Sequence, residues 1–372
     1  MGILSASLRP ARRKAGLSQA DLAARAGISR QAYSAVELGT STPSTDVALR
    51  LARALGASVE ALFTLPYEPL PIMATLTSPL DDNESAQRAD VHQIGARWVA
   101  RPLAGGPGHP AIVRSLPVAN ALVHKSANGR DADVEPLANS TGRALVAVGC
   151  DPSLSVVAAH LHARGVELSW HEMGSTAALR ELAAGNAHVA GCHLLDPQSG
   201  QFNLAAVARY LPFPATLVTF AVWDQGLVVT PGNPKRIRGI EDLARPGIAI
   251  VNREPGSGSR MLLDESLAGA GVPIALVAGY ERAAASHLSV ADAVGMGLAD
   301  AGVAVKAAAI ALGLDFVPLG QERYDLVFPD HFLNDDAVGE LLASLRSSSL
   351  QRQVEALGGY DVASMGTEPA AA

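Results

Sequence analysis

Apolar and polar positions change their rhythm twice along the chain, and each change marks a new architecture. Up to residue 63 the apolar positions recur at helical spacing in short bursts. Leu22, Ala23 and Ala26 lie on one face of a helix that Ser18 caps, with Asp21 three residues on to complete a capping box. Gly27 ends it, because the left-handed conformation costs least at glycine. Ile28 turns back toward the core, Ser29 caps a second helix over 30–38, and Gly39 stops that one. A helix over 4–15 precedes this pair. Ser44 caps a helix over 45–55 and Ser58 one over 59–63.

Beyond residue 65 four prolines (Pro66, Pro69, Pro71 and Pro79) exclude a helix and predict an extended linker. The polar stretch 81–90 reads as loop, and 91–103 as a strand. Further strands are predicted over 109–117, 120–124 and 134–137, with Trp98 in the core of a small β module. From Arg143 strands and helices alternate: a strand over 144–150, a helix capped by Ser153 or Ser155, a strand over 166–171, a helix capped by Ser175 or Thr176, and a strand over 189–192. Such alternation predicts a parallel sheet with helices on both faces and a ligand beyond the carboxyl ends of its strands. Residues 225–230 read as a crossover to a second lobe. There a helix starts at Ile240, a strand covers 248–252, and a Gly/Ser loop over 253–260 leads into a helix to Ala268. A strand over 301–305, a helix from Lys306 and strands over 314–318 and 324–328 return the chain to the first lobe. Helices over 335–345 and 350–357 close it.

Two short helices joined by a tight turn form a helix-turn-helix, whose second helix enters the DNA major groove. The stretches LSQADLA, GISRQAYSAVE, Thr42-Pro43-Ser44 and LARALGASVEALF resemble the Cro/C1-type, or XRE, family of regulators. That resemblance implies operator DNA as a partner. Gln19 would hold a phosphate, Arg30 and Gln31 would reach base edges, Ser34 lies one turn on, and the backbone from Thr42 to Ser44 would take another phosphate. Tyr33 and Val36 are expected to pack, and Glu37 to make a structural hydrogen bond. Charge agrees. Residues 1–63 hold eight basic and four acidic side chains, so a head of +4 sits on a chain of −7 and the remainder carries −11.

Residues 143–366 resemble the periplasmic-binding-protein-like domain related to molybdate-binding proteins. The likeness rests on GCDPSLSVVAAHL, AGNAHVAGCHLLD, QGLVVTPGNP, VNREPGSGSRMLLD, HLSVADAVGMGLADAGV, LDFVPLGQERYDLVFP and GGYDVASMG. The expected fold is therefore an all-α helix-turn-helix head over 1–65 and an α/β two-lobed (type 2) sensor over 143–366. The intervening 66–142 is left for a linker and a small β-rich module. The resemblance implies a tetrahedral oxyanion such as molybdate or tungstate as effector, with no cofactor. Ser175 and Thr176 at one helix N-terminus would face Ser257, Gly258 and Ser259 at another, with Asp151, Ser153 and His193 at neighbouring strand ends. Arg253 and Arg260 leave an amino acid, an organic acid or a phosphorylated metabolite open. Asp151 would repel an anion, and so caps a helix or binds an amine instead.

The chain's 372 residues allow two or three domains, and its 48% hydrophobic and 4% aromatic content suits α/β packing. No apolar run spans a membrane and no signal peptide opens the chain, so a cytoplasmic protein, dimeric like others that read paired half-sites, is expected. Cys150 and Cys192 end two strand-like runs. As strand neighbours they would lie near each other as packed thiols, or serve a redox or metal role with His171 and His193. Asp151, His171, His193 and His287 are the available acid–base groups, but no nucleophile elbow or HExxH motif accompanies them, and no enzyme is expected.

Overall fold

The computed structural model describes residues 5–6, 8–64, 72–80, 86–103, 119–125, 130–137 and 143–369. Two compact units divide the chain, residues 1–70 and 71–372.

The first unit contains β1 (Ser5–Ala6), α1 (Leu8–Lys14), α2 (Gln19–Ala26), α3 (Arg30–Glu37), α4 (Thr45–Leu55), α5 (Val59–Leu62) and β2 (Phe63–Thr64), with β1 and β2 paired antiparallel. The first helix starts at Leu8, four residues later than expected. Pro10 is the reason: its missing N–H and bulky ring are tolerated only in a first turn. Ser18 Oγ accepts from Asp21 N at 3.1 Å and Asp21 Oδ2 accepts from Ser18 N at 3.1 Å, the reciprocal box its spacing predicts. Gly27 closes α2 at φ 68°. Leu8, Leu22, Ala26, Tyr33, Val36, Leu51 and Leu62 form the core. Glu37 ties three helices together by accepting from Arg12 Nε (2.8 Å), Gln19 Nε2 (2.6 Å) and Tyr33 Oη (2.9 Å).

The second unit begins with a closed barrel of β3 (Ile72–Leu76), β4 (Gln87–Ile94), β5 (Arg97–Pro102), β6 (Ala121–Lys125) and β7 (Asp131–Pro136), in the order β3-β5-β4-β6-β7. The single strand expected over 91–103 is instead a hairpin, β4 and β5, turning at Gly95 with φ 60°. The polar residues before Val91 belong to β4 from Gln87 onward. Their polarity hid the strand because their partners are distant in sequence. Asp90 is buried, accepts from His92 at 2.8 Å, and also holds His171 (2.8 Å) and Ser169. His171 is thereby committed to the barrel. Trp98 packs beside the barrel core. The linker prolines 66–71 and the strand expected over 109–117 lie outside the described residues.

There follow β8 (Ala144–Gly149), α6 (Leu154–His162), β9 (Glu167–Glu172), α7 (Ser175–Ala183), β10 (Val189–Cys192), α8 (Leu204–Tyr210), β11 (Ala215–Val229), β12 (Asn252–Arg253), α9 (Gly258–Gly269), β13 (Ala283–Ala284), α10 (His287–Gly295), β14 (Ala301–Val305), α11 (Lys306–Ala311), β15 (Asp315–Pro329), α12 (Asp336–Leu345), α13 (Ser348–Glu355) and β16 (Tyr360–Asp361). The main sheet runs β14-β11-β15-β10-β8-β9, with β16 on β11. It is mixed. β8 is parallel to β9 and β10, while β15 and β11 run antiparallel. The expected crossover at 225–230 is the end of β11, and the two return strands over 314–318 and 324–328 are one strand, β15. The strand expected over 248–252 is reduced to Asn252–Arg253, and the helix at Ile240 is a short 3-10 turn, Ile240–Ala244. β11 and β15 leave the first lobe and enter the second, whose own core holds Leu227, Val229, Ile250, Leu263, Leu267 and Val303. Their ladder shifts register between Gln225 and Gly226, where a Cβ on Gly226 would collide with Val317 O and the Phe316 ring. Such a bulge bends and twists a strand. No helix among the described residues is long and apolar enough to cross a membrane.

Burial raises the pKa of Glu37, but the hydrogen bonds from Arg12, Gln19 and Tyr33 outweigh it and hold it near about 2, below its ordinary 4.5. A depressed carboxylate contributes stability above its unfolded pKa and loses it as pH falls through the folded one. Unfolding of the head should therefore become easier between pH 4.5 and about 2. Glu37→Ala should cost roughly 2–3 kcal/mol near neutrality and flatten that dependence, because Arg12 loses its partner. Thermal unfolding of wild type and variant across that pH range checks both.

Candidate functional site

On α3, Tyr33 and Val36 face the core, while Arg30 and Gln31 are exposed and Ser34 is half-buried. Ser29 Oγ caps the helix on Ala32 N. Thr42 is exposed, and Ser44 Oγ accepts from Val47 N at 3.4 Å as the cap of α4. Gln19 stands half-buried at the start of α2 with its amide oriented by Glu37.

In the two-lobed domain, three parallel strands end side by side. β8 delivers Cys150 and Asp151, β9 leads through Gly174 into Ser175 and Thr176 on α7, and β10 delivers His193. The second lobe supplies Arg253 at the end of β12, the loop to Ser257, the N-terminus of α9, and His287 in the first turn of α10. Trp223 and Gln225 on β11 and Glu322 and Tyr324 on β15 are buried between them. The lobes touch. A Cβ on Gly258 would lie 2.3 Å from His193 Cε1 and 2.6 Å from its carbonyl oxygen, and one on Gly174 would lie 2.7 Å from Glu254 Oε1 and 3.3 Å from Ser257 Cβ. Glycine is needed at both positions for this approach. A cavity of about 70 Å³ lies beside the contact, lined by His193, Gly258, Met261, Glu265 and Glu322 among others.

The hydroxyls expected to face a ligand are partly engaged within the protein. Ser175 Oγ accepts from His193 N, Ser257 Oγ caps α9 on Arg260 N and donates to Glu254 O, and Ser259 exchanges with Gln225. Thr176 is half-buried, with its side chain 3.5 Å from the Cβ position of Gly256. Gly174, not Ser175 or Thr176, is the N-cap of α7, and it offers no side chain to the helix. Ser153 likewise makes no cap bond at α6; its N–H is taken by Asp151 Oδ1 at 2.9 Å. Arg260 is spent on Asp264, on Tyr280 Oη and on the Arg253 carbonyl, with its guanidinium 3.9 Å above the Tyr280 ring. Arg253 differs. It is 1% exposed, and its Nε and Nη2 pair with Glu254 and the Ala285 carbonyl, but its Nη1 has no partner.

Four more buried atoms at this junction lack partners: Asp151 Oδ2, Ser153 Oγ, His287 Nε2 and Tyr324 Oη. Burial, with the charges of Arg253 and His193, holds the His287 pKa well below the ordinary value, so the ring is neutral. Its Nδ1 accepts from Val305 N at 3.3 Å. The ring hydrogen therefore sits on Nε2, aimed at nothing in the protein. Asp151 accepts from Ser153 N and Tyr360 Oη (2.7 Å), and burial still pushes its pKa up to about 6. His193 donates from Nδ1 to Glu322 (2.6 Å), which also accepts from Gln225 (3.0 Å), while its Nε2 lies 3.2 Å from Cys150 Sγ. Cys150 packs with Trp223 and Tyr324, whereas Cys192 packs with Leu179 and Leu182 on the other face of the sheet. The two thiols do end neighbouring parallel strands, as expected, but they pack into different clusters. Gln225, Glu322 and Tyr324 escaped the sequence reading. Their signal was a polar run, Asp224-Gln225 in β11 and Gln321 to Asp325 in β15, in the middle of strands whose ends are apolar.

Comparison with known proteins follows the same division. Residues 8–62 match the helix-turn-helix family model and residues 158–346 the model of the PBP superfamily domain. The uncharacterised protein YvgK of Bacillus subtilis (strain 168) is 36% identical over 215 residues, which span 57% of this chain and 69% of that protein. An uncharacterised HTH-type transcriptional regulator of Methanothermobacter thermautotrophicus is 44% identical over 59 residues, 16% of this chain and 86% of that one. Among solved structures, the periplasmic molybdate-binding protein of Azotobacter vinelandii aligns at 16% identity and a TM-score of 0.46, over 58% of this chain and 98% of that one.

The raised Asp151 pKa has a consequence for stability. The folded state holds the proton more tightly than the unfolded chain, so this stabilisation is complete below pH 3.8 and is lost as pH rises through about 6. Asp151→Asn should remove that loss, roughly 2–3 kcal/mol in all. Denaturant unfolding at several pH values should show a shallower decline for the variant; parallel curves would refute the assignment.

A helix-turn-helix followed by a two-lobed binding domain is the plan of a transcription regulator with a ligand-binding domain, and the chain belongs to the PBP superfamily, which its matched domain defines.

Proposed function

We propose that the protein is a cytoplasmic one-component regulator that binds operator DNA as a dimer and responds to a small anion closed between its two lobes. The observation carrying the anion is the pair of unpartnered buried donors, Arg253 Nη1 and His287 Nε2, beside the N-terminus of α9. A buried donor without an acceptor costs roughly 1–3 kcal/mol, so a ligand supplying acceptors is favoured there. Contact between the loops at Gly174 and Gly258 favours a small ligand over a bulky metabolite. The resemblance to molybdate-binding proteins puts molybdate or tungstate first. Arg253 serves an amino acid or organic acid equally well, and that is the second reading. Thr176, Ser175 and the backbone of residues 257–259 line the site, while Arg260 braces Arg253 from behind.

On the head, Arg30 and Gln31 read base edges, and Gln19, Ser34, Thr42 and Ser44 position the helix on the backbone. Dimers read half-sites about 34 Å apart, so lobe closure that alters the spacing of two heads alters operator affinity. A hundredfold switch needs roughly 3 kcal/mol of differential binding between open and closed states.

Thermal-shift titration with molybdate, tungstate, sulfate, phosphate and small carboxylates tests the sensor. A ligand at about 100 times its Kd adds roughly 2.7 kcal/mol. Arg253→Ala should abolish the shift, whereas Arg260→Ala should lower the melting temperature and keep it. No shift with any of these anions would end the anion-sensor reading. On the head, Arg30→Ala or Gln31→Ala should each relax operator specificity by roughly 1–3 kcal/mol. Equal binding of wild type to operator and scrambled DNA would sink that reading.

A further inference from the structure

Cys150, His193 and His287 bring one donor atom each to within 4.8 Å of one another, all buried, and drawn from both lobes. By residue type this is a metal-ligand set. The hydrogen positions give it another meaning. A metal needs a free lone pair on each ring, and the Nδ1 lone pair of His287 already accepts from Val305 N, which leaves Nε2 protonated. His193 Nδ1 faces the carboxylate of Glu322, so Nδ1 carries a hydrogen and Nε2 turns to Cys150 Sγ at 3.2 Å. Glu322 is itself fixed by Gln225 at 3.0 Å and Trp223 at 3.5 Å. Thiol, imidazole and carboxylate stand in line, the arrangement by which a cysteine is made a nucleophile.

We propose that Cys150 is a nucleophilic cysteine, with His193 as its general base, and a site of S-alkylation by small soft electrophiles, reached whenever the two lobes part. The proposal needs the hinge between the lobes but not the anion. In the closed state the sulfur is wholly buried, with Gly258 pressed against His193. The thiol proton moves to His193 Nε2 and stays there. The sulfur lone pair then forms a bond to the electrophilic carbon as the bond to the leaving group breaks; with iodoacetamide the products are a thioether and iodide. No oxidant or reductant enters.

The groups around the sulfur divide as follows. Burial opposes charge on His193, yet Cys150 and Glu322 together push its pKa up to about 10, so it keeps the proton. Arg253 from β12 adds attraction, and its own pKa is raised by Glu254 and Cys150 against burial. His287 from α10 is neutral, its Nε2 hydrogen unpartnered. Tyr324 from β15 is held neutral by burial. Asp151, on the same loop, works against the thiolate once ionised. Cys192 is buried on the opposite face with its pKa pushed well up, and serves as an internal control.

The test uses the full chain. Iodoacetamide alkylation of Cys150 should slow roughly tenfold in His193→Gln and be left unchanged in Cys192→Ser. Iodoacetamide labelling read by peptide mass should modify Cys150 roughly tenfold faster than Cys192. Gly258→Ala, whose methyl meets the His193 ring, should speed Cys150 further by disfavouring closure. If that variant does not fold, Gly174→Ala parts the same loops against Glu254 and Ser257. An alkylation rate of Cys150 left unchanged in His193→Gln would overturn the proposal. So would equal labelling of both cysteines in a folded, propped-open variant. A sulfur-to-cobalt charge-transfer band on adding Co²⁺, lost in both Cys150→Ser and His287→Gln, would assign the trio to a metal instead.

Discussion

The pairing of β11 with β15 is the constraint on which the sensor depends. Two 15-residue strands run antiparallel from the first lobe into the second, and other elements pack around or add to this ribbon. Backbone hydrogen bonds along it fix the distance between the lobes, while its two register shifts, at Thr219–Ala221 and at Gln225–Gly226, give it places to bend. The groups that must be held steady, Trp223, Gln225, Glu322 and Tyr324, lie on these same strands. The ribbon is thus at once the hinge and the floor of the cleft. A change in its twist alters both lobe angle and site geometry.

Helix ends were the most legible part of the sequence. Ser18, Ser29, Ser44 and Ser58 all cap where a short-range rule places them, because a cap is decided within four residues. Strands were less legible where their partners are remote. β4 was hidden by Gln87, Asp90 and His92, of which Asp90 finds its partners on β9, distant in sequence, and in turn holds His92. β15 was broken in two by Pro318 and Gly320, which sit at the register shift and not at an end. In the cleft, the sequence located the loops that meet but not the atoms left over. Ser257 and Ser259 look like ligand hydroxyls, and Arg253 and Arg260 look equivalent. Only the fold reveals that Arg260 is stacked on Tyr280 while Arg253 keeps one nitrogen free of protein partners.

Polar atoms without partners are costly in an interior, and here several gather at one junction instead of being scattered. Beside them stand matched groups: Glu322 has its donors, Asp151 Oδ1 takes the Ser153 N–H and the Tyr360 hydroxyl, and Ser175 has its backbone partner. That contrast separates a site from a packing defect. The surrounding network pre-organises the free atoms, so a ligand meets donors already oriented.

The barrel's attachment gives helix α7 a second role. Arg97 Nη2, at the start of β5, donates to the carbonyls of Ala184 (3.0 Å) and Gly185 (2.9 Å), just past the helix's C-terminus. Arg101 grips Glu181 on the same last turn at 2.7 Å. The opposite end of α7, Ser175 and Thr176, lies in the cleft. A helix of nine residues is a stiff rod about 14 Å long. With one tip in the cleft and the other held by the barrel, a tilt of this helix at the cleft would strain its contacts with the barrel, the module that in sequence stands between sensor and DNA-binding head.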